Sequence, residues 1–254
     1  MRDCGDHLLF HTERPVELGE EVMNCYGLQG NTQWLMNGGF LDRSRPCDDL
    51  LVTPADVVSA VLDYLMNRKV DSDEEDELGR EATLCSRFSL MQELGIGSGG
   101  ALFSLSMAEL LPDDLATMIL VLCMSEKDYL TYQQQRTAGG QQAVIDLAGE
   151  EGEELSEPLL ADLYGSLLCL VQWLRRRYET TLEEDMRMLE ELQSEAANSK
   201  GAKRRRIEET AEAEESSTLH GVRPENAQNI LLLRIGQKRV LQALEEQAEQ
   251  CFAD

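Results

Sequence analysis

The first candidate for chemistry is a run of closely spaced glycines, Glu93-Leu94-Gly95-Ile96-Gly97-Ser98-Gly99-Gly100. Glycines at this spacing let a backbone approach a nucleotide, provided that a buried strand precedes them and a helix follows. The residues before the run, 87–94, have a helical pattern, whereas 101–105 after it have an extended one. Because this order is reversed, we interpret the run as a helix cap and a loop, and not as a nucleotide-binding loop.

The remaining residues give little support for nucleophilic catalysis or for metal binding. No serine lies in a Gly-x-Ser-x-Gly elbow, and the histidines His7, His11 and His220 lack metal-ligand spacing. Seven cysteines are present without any Cys-x-x-Cys pair. Adjacent acids such as Glu183/Glu184 lie at predicted helix starts, where they accept hydrogen bonds from free backbone N–H groups and interact favourably with the helix dipole. The pattern predicts no metal site and a reducing, intracellular compartment.

The chain is strongly acidic, with 48 Asp and Glu against 23 Lys and Arg in 254 residues and a formal net charge of −25. Nucleic acids and anionic membranes both attract proteins through a positive field, so this charge argues against either as a partner. No apolar run approaches the roughly 18 residues that span a bilayer. The charge suits a basic protein partner better.

Helical patterns dominate from Thr53 onward. Thr53-Pro54-Ala55-Asp56 combines an N-cap, a proline at the first helical position and an acid, ahead of an apolar stripe at helical spacing. Ser125 is predicted to cap a further helix, and Ser106–Glu109 and Thr181–Glu184 have the capping-box pattern. The other predicted helices cover about 79–94, 113–122, 156–178 and 224–244.

The first forty residues differ from the rest. His7–His11 has the pattern of a short strand, Glu21–Gly27 alternates apolar and polar residues, and Asn31–Phe40 predicts a short helix that Gly38-Gly39 stops. The sequence therefore predicts a mainly α fold, in which a small β-containing segment precedes a helical domain.

One set of motifs is more specific than these patterns. Gly19–Gly27, Gly30–Met36 and Gly39–Phe40 resemble the end of a SET domain, in the Rubisco large-subunit methyltransferase-like branch of protein-lysine methyltransferases. Tyr178–Asp185 is similar to the Tyr…Thr-Leu-x-x-Asp signature of that family's helical substrate-binding domain. Two further stretches resemble the same domain, Leu120–Met124 and Leu233–Leu241.

The resemblance implies both an activity and a site. In such enzymes a neutral lysine amine attacks the methyl group of S-adenosylmethionine, and the protein aligns and desolvates the two. Tyr26 would be the catalytic tyrosine and Phe40 would lie against the cofactor. The helical domain would hold a protein substrate that carries the target lysine. The resemblance favours the nucleus or cytoplasm over a plastid.

The sequence departs from the family pattern at the cofactor site. The Asn-His element, which binds the cofactor, occurs nowhere in the 254 residues, and no upstream Gly-x-Gly cofactor loop is found. Gly38 stands where an aromatic residue usually walls the lysine channel. We therefore expect that this chain alone does not bind S-adenosylmethionine measurably and methylates nothing.

The predicted organisation has four parts. Residues 1–45 are a C-terminal remnant of a SET domain, and 46–194 are the first part of the substrate-binding domain. Residues 195–222 are a disordered charged insertion, and 223–250 form the last helix. The basic run Lys203–Arg206 in the insertion is either a nuclear-import patch or a charge-balanced linker.

Three functions remain open from the sequence. The leading hypothesis is the C-terminal portion of a SET-type protein-lysine methyltransferase, with this chain binding the substrate and lacking a complete catalytic site. The alternative is a non-catalytic protein-interaction module derived from that family. A third hypothesis, a Rossmann-type methyltransferase that uses Gly95–Gly100, requires a strand over 88–94 and a parallel sheet.

Overall fold

The fold was analysed in a computed structural model of the chain. It describes residues 2–3, 8–9, 12, 14–22, 29–41, 48–68, 77–93, 95–97, 100, 102–139, 156–203 and 223–253. Tyr26 and the part of the predicted strand at 23–27 lie outside these residues, as do Arg204–Arg206 of the basic run.

Helices form most of the described part of the chain. The elements, in order, are β1 (Arg2–Asp3), β2 (Leu8–Leu9), α1 (Asn31–Gly38), β3 (Asp49–Val52), α2 (Pro54–Asn67), α3 (Glu77–Glu93), β4 (Phe103–Ser106), α4 (Asp113–Cys123), α5 (Glu126–Gly139), α6 (Glu157–Arg175), α7 (Leu182–Lys203) and α8 (Pro224–Ala253). The predicted mainly α fold class is confirmed. None of the described helices is both long and apolar enough to cross a membrane.

Helix α6 lies at the centre of the helical core, where it packs against α2, α4 and α8. Its apolar stripe is fully buried, and every residue of α4 from Leu115 to Leu122 is buried as well. Gly165 of α6 lies so close to the Tyr64 ring of α2 that a Cβ at position 165 would overlap the ring. The sequence thus places a small residue where two helices approach most closely.

Buried acids fasten α2 to α6 at both ends. At the start of α2, Asp56 accepts a hydrogen bond from the Trp173 indole at 3.3 Å and forms an ion pair with Arg177. At the other end of α2, Arg68 donates to both carboxylate oxygens of Asp162 on α6, each at 2.6 Å. The two helices are therefore antiparallel, and each contributes one acid to the clamp.

The structure corrects the capping box predicted at Ser106–Glu109. Ser106 ends strand β4, and the chain turns back so that the Glu109 N–H donates to the Ser106 carbonyl at 3.1 Å. Strand β4 pairs antiparallel with β3, which the sequence analysis missed. A Ser-x-x-Glu spacing suits a tight turn as well as a helix start. The extended pattern at 101–105 agrees with β4, whereas the four residues of β3 are too few for periodicity to identify.

The glycine run ends a helix, as predicted. The Gly95 N–H donates to the Gln92 carbonyl at 3.1 Å and the Ile96 N–H donates to the Met91 carbonyl at 3.0 Å, which is a Schellman motif. Gly95 takes the positive φ of 83° that this motif favours. Since α3 precedes the glycines and β4 follows them, the order is opposite to that of a nucleotide-binding strand–loop–helix.

Helix α7 extends past residue 195, where the charged insertion was predicted to begin. The helix continues to Lys203, so 195–203 are helical where disorder was predicted, and 204–222 lie outside the described residues. Alanines in this stretch have high helix propensity, and the helix is already nucleated and packed against α8. Lost apolar periodicity therefore did not mark the end of the helix.

Asp56 gives the first testable prediction. Burial alone raises the pKa of this carboxyl, but hydrogen bonds from Thr53 and the Arg177 guanidinium outweigh it and lower the pKa below its usual 3.8. The unfolded chain then holds the proton more tightly than the folded one. The stabilisation is complete above about pH 4 and is lost as the pH falls through the folded pKa.

Replacing Asp56 with asparagine should lower the free energy of unfolding by about 1–2 kcal/mol at pH 7, measured by urea denaturation. The loss of stability below about pH 4 should also become shallower than in the wild type. Asp63→Asn, an exposed acid on the same helix, is the matched control. Equal effects of the two substitutions would contradict the assigned role of Asp56.

Candidate functional site

The connection between α6 and α7 carries the signature motif of the sequence analysis, and it is built as a capping box. The Glu184 N–H donates to Thr181 Oγ1 at 3.2 Å, and the Thr181 N–H donates to Glu184 Oε2 at 2.8 Å. These reciprocal bonds satisfy two free N–H groups and fix the direction in which α7 begins. The predicted capping box at Thr181–Glu184 is confirmed.

The next residue, Asp185, has no exposed surface and binds two cations from α8. Lys238 Nζ donates to Asp185 Oδ2 at 2.6 Å, and Arg234 Nη2 donates to Asp185 Oδ1 at 2.8 Å. Lys238 also donates to the Thr180 and Thr181 carbonyls at 2.6 and 3.0 Å. The ammonium therefore fills its donor capacity inside the protein, as a buried charge must.

Tyr178 joins this network to α1. Burial raises the pKa of its phenol to about 12, so the hydroxyl stays protonated and donates to Gln237 Oε1 at 3.0 Å. Gln237 Nε2 in turn donates to Thr32 Oγ1 on α1 at 3.3 Å. Lys238 Nζ lies 5.2 Å from the centre of the Tyr178 ring. Two stretches that resemble the same family domain, 178–185 and 233–241, thus meet in one polar network.

A groove opens above this network, between the start of α7 and the second half of α8. We call it the α7–α8 groove. It encloses about 580 Å³ and is lined by Arg175, Tyr178, Thr180, Thr181, Leu182, Glu183, Lys238, Gln242, Glu245, Glu246 and Glu249. The volume lies in the range of about 300–1,000 Å³ that is usual for ligand pockets.

The groove is acidic because its two cations are already paired. Lys238 is bound to Asp185 beneath the floor, and Arg175 donates to Glu245 through Nη1–Oε1 at 2.6 Å. The carboxylates of Glu183, Glu246 and Glu249 form no ion pair within the described part of the chain. The walls therefore combine three unpaired negative charges with the apolar surfaces of Tyr178 and Leu182.

The residues predicted as catalytic and cofactor-binding lie elsewhere or outside the described chain. Tyr26 is not among the described residues. Phe40 follows α1, is 49% exposed, and lies with its ring centre 5.2 Å from that of Trp34. The roles of Tyr26 and Phe40 stay predictions. No group of three or more His, Cys, Asp and Glu side chains among the described residues could hold a metal ion.

Sequence reasoning missed the partners that make the signature motif a site. Asp185 was identified only by its place in the motif, whereas Arg234 and Lys238 lie about 50 residues further along the chain. One signal pointed to them: Arg234 and Lys238 are spaced by four residues within the stretch 231–241, which places them on one helix face. The glutamates of the groove gave no such signal, because exposed acids are common on helices.

Comparison with known proteins bears directly on this part of the chain. Residues 79–241 match the family model described as Rubisco LSMT substrate-binding. The chain belongs to this family. The matched segment contains α3 to α7 and most of α8, and so includes Asp185, Lys238 and the motif at Thr181. The resemblance inferred from the sequence is thereby confirmed for the substrate-binding part.

The Rubisco LSMT substrate-binding chain is also similar to a curated protein, mouse N-lysine methyltransferase SETD6. The two are 27% identical over 190 residues, which is 73% of this chain and 37% of the mouse protein. The chain therefore spans well under half the length of that relative. The likeness agrees with the C-terminal part of a SET-family protein of the Rubisco LSMT type.

The buried network gives the second prediction. Asp185→Ala should lower the free energy of unfolding by about 3–5 kcal/mol, because it leaves Lys238 buried without its counter-charge. Asp185→Leu combined with Lys238→Met should recover much of that loss, since the buried ammonium is removed together with its counter-charge and the remaining Arg234 is partly exposed. Chemical denaturation monitored by circular dichroism measures both variants.

A matched control is Glu191→Ala, which removes an exposed partner of Arg187 one turn along the same helix. Exposed pairs of this kind contribute about 0.3–0.5 kcal/mol. A loss at Asp185 no larger than the loss at Glu191 would contradict the role given to the buried carboxylate.

Proposed function

We propose that this chain holds a protein substrate for lysine methylation, as the C-terminal, substrate-binding portion of a SET-type protein-lysine methyltransferase. The observation that carries the proposal is the match of residues 79–241 to the Rubisco LSMT substrate-binding family. The likeness to mouse N-lysine methyltransferase SETD6 supports a lysine of a protein as the methyl acceptor. No nucleic acid or membrane partner is proposed, in keeping with the net charge of −25.

The described residues do not fit S-adenosylmethionine by themselves. Phe40 and Trp34 supply one aromatic surface at the end of α1. An aromatic side chain at position 38 would have to displace the Phe40 ring, because even a Cβ there would lie 2.6 Å from Phe40 Cε1. The Asn-His element is missing from the sequence. We therefore propose that catalysis, with Tyr26 and Phe40 in the roles that the resemblance implies, needs cofactor-binding residues beyond these.

The second candidate function is a non-catalytic protein-interaction module derived from the same family. The glycine at position 38 favours it. Both functions assign the same task to the helical domain, which is to bind another protein. They differ in whether a methyl group is transferred to the bound protein. For both, we propose the nucleus or cytoplasm as the compartment.

The third prediction concerns the cofactor. Isothermal titration of the purified chain with S-adenosylmethionine should show no binding at micromolar concentrations, because the described residues provide only one aromatic wall. Incubation with tritiated S-adenosylmethionine and a cell-protein extract should likewise transfer no label. Adenosine serves as a control ligand for weak aromatic stacking. A micromolar Kd for S-adenosylmethionine would contradict the incomplete site, and labelled protein would favour the enzyme over the interaction module.

A further inference from the structure

We propose that the α7–α8 groove binds a lysine- and arginine-rich segment of the partner protein. The inference rests on the proposed function, since it names the class of sequence that the substrate-binding chain recognises. Three observations carry it. The groove is concave, its cations are bound to acids of the chain while three of its glutamates form no ion pair within the described residues, and apolar surface lies beside those glutamates.

The shape separates this groove from an ordinary solvated helix face. Acids elsewhere on α7, such as Glu190 and Glu195, are exposed on the convex surface of a single helix. The groove instead draws its walls from α6, the α6–α7 connection, α7 and α8, around a volume of about 580 Å³. A concave site with low-dielectric walls concentrates the field of its charges. The same number of acids therefore acts more strongly here than on an open helix.

The charges determine the sign of the ligand. Lys238 and Arg175 are each bound to an acid of the chain, so neither is available to an incoming anion. Glu183, Glu246 and Glu249 are exposed, and they face the groove from α7 and α8. An anionic or phosphorylated segment would meet three carboxylates that form no ion pair within the described part of the chain, although Glu246 accepts a hydrogen bond from Gln242 at 2.9 Å. A cationic segment would be attracted to them.

The apolar surfaces select long cationic side chains over small cations. Lysine and arginine pack their methylene stems on apolar surface while the charged end reaches carboxylates. The half-buried Tyr178 and Leu182 lie in the same groove as the glutamates and offer such surface. Arginine can in addition bind a carboxylate through two parallel hydrogen bonds. A basic peptide segment therefore suits both components of the wall.

The floor of the groove is rigid, which favours binding without rearrangement. Thr180 and Thr181 are fixed by the carbonyl bonds to Lys238 and by the capping box with Glu184. Asp185, directly below, has no exposed surface. A site whose backbone is already ordered loses little conformational entropy when a ligand binds.

The test uses the whole chain and a fluorescein-labelled nine-residue peptide with five Lys and Arg residues, measured by fluorescence anisotropy. The control peptide has glutamine at each basic position. The wild type should bind the basic peptide and not the glutamine peptide, and binding should weaken as NaCl rises from about 50 to 200 mM.

Matched variants separate the groove from the general attraction of an acidic chain. The groove variant carries Glu183→Gln, Glu246→Gln and Glu249→Gln together. The control variant carries Glu190→Gln, Glu195→Gln and Glu225→Gln, which make the same change in net charge at exposed residues outside the groove. The groove variant should bind at least ten-fold more weakly than the wild type, and the control variant should stay within about two-fold. Circular dichroism checks that both variants are folded.

Equal weakening in the two variants would overturn the proposal, because the peptide would then sense only the overall charge. Absence of wild-type binding to the basic peptide would overturn it too. Either outcome leaves the proposed function standing, because it rests on the family match of residues 79–241 and does not require the groove. Failure of the groove and failure of the proposed function are thus distinguishable.

Discussion

The arrangement of the helical domain depends on one buried carboxylate. Asp185, fully removed from water at the start of α7, is held by Lys238 and Arg234 of α8. A buried charge without partners is so costly that the two helices can pack here only in the register that brings these groups together. The register fixes the floor of the α7–α8 groove and, through the neighbouring Gln237, the contact to α1.

Buried acids that bind groups on distant segments recur in the rest of the core. Asp56 and Asp162 clamp α2 against α6, each with an arginine that lies just after the end of the other helix. Asp49 accepts the Thr32 N–H at 2.7 Å and so holds the start of α1. Acids in this chain therefore have two roles. Buried ones join distant segments where the dielectric constant is low, and exposed ones create a negative field in water.

Local patterns predicted the elements well wherever the signal lay within one helix. The stop at Gly95, the cap at Thr53 and the capping box at Thr181 depend on neighbouring residues alone, and the structure confirms them. Predictions failed where the outcome depended on a partner far along the chain. Ser106 ends a strand because β3 pairs with β4.

The sequence by itself determined the fold class, the helix starts at Thr53 and Thr181 and the family, since all three reside in periodicity, caps and short motifs that neighbouring residues carry. Only the tertiary structure decided which acids are buried and which are free. Asp185 and Glu183 stand two residues apart at the same helix start, yet one faces α8 and is neutralised there while the other faces the groove. That difference depends on the packing of α7 against α8, which no local pattern encodes.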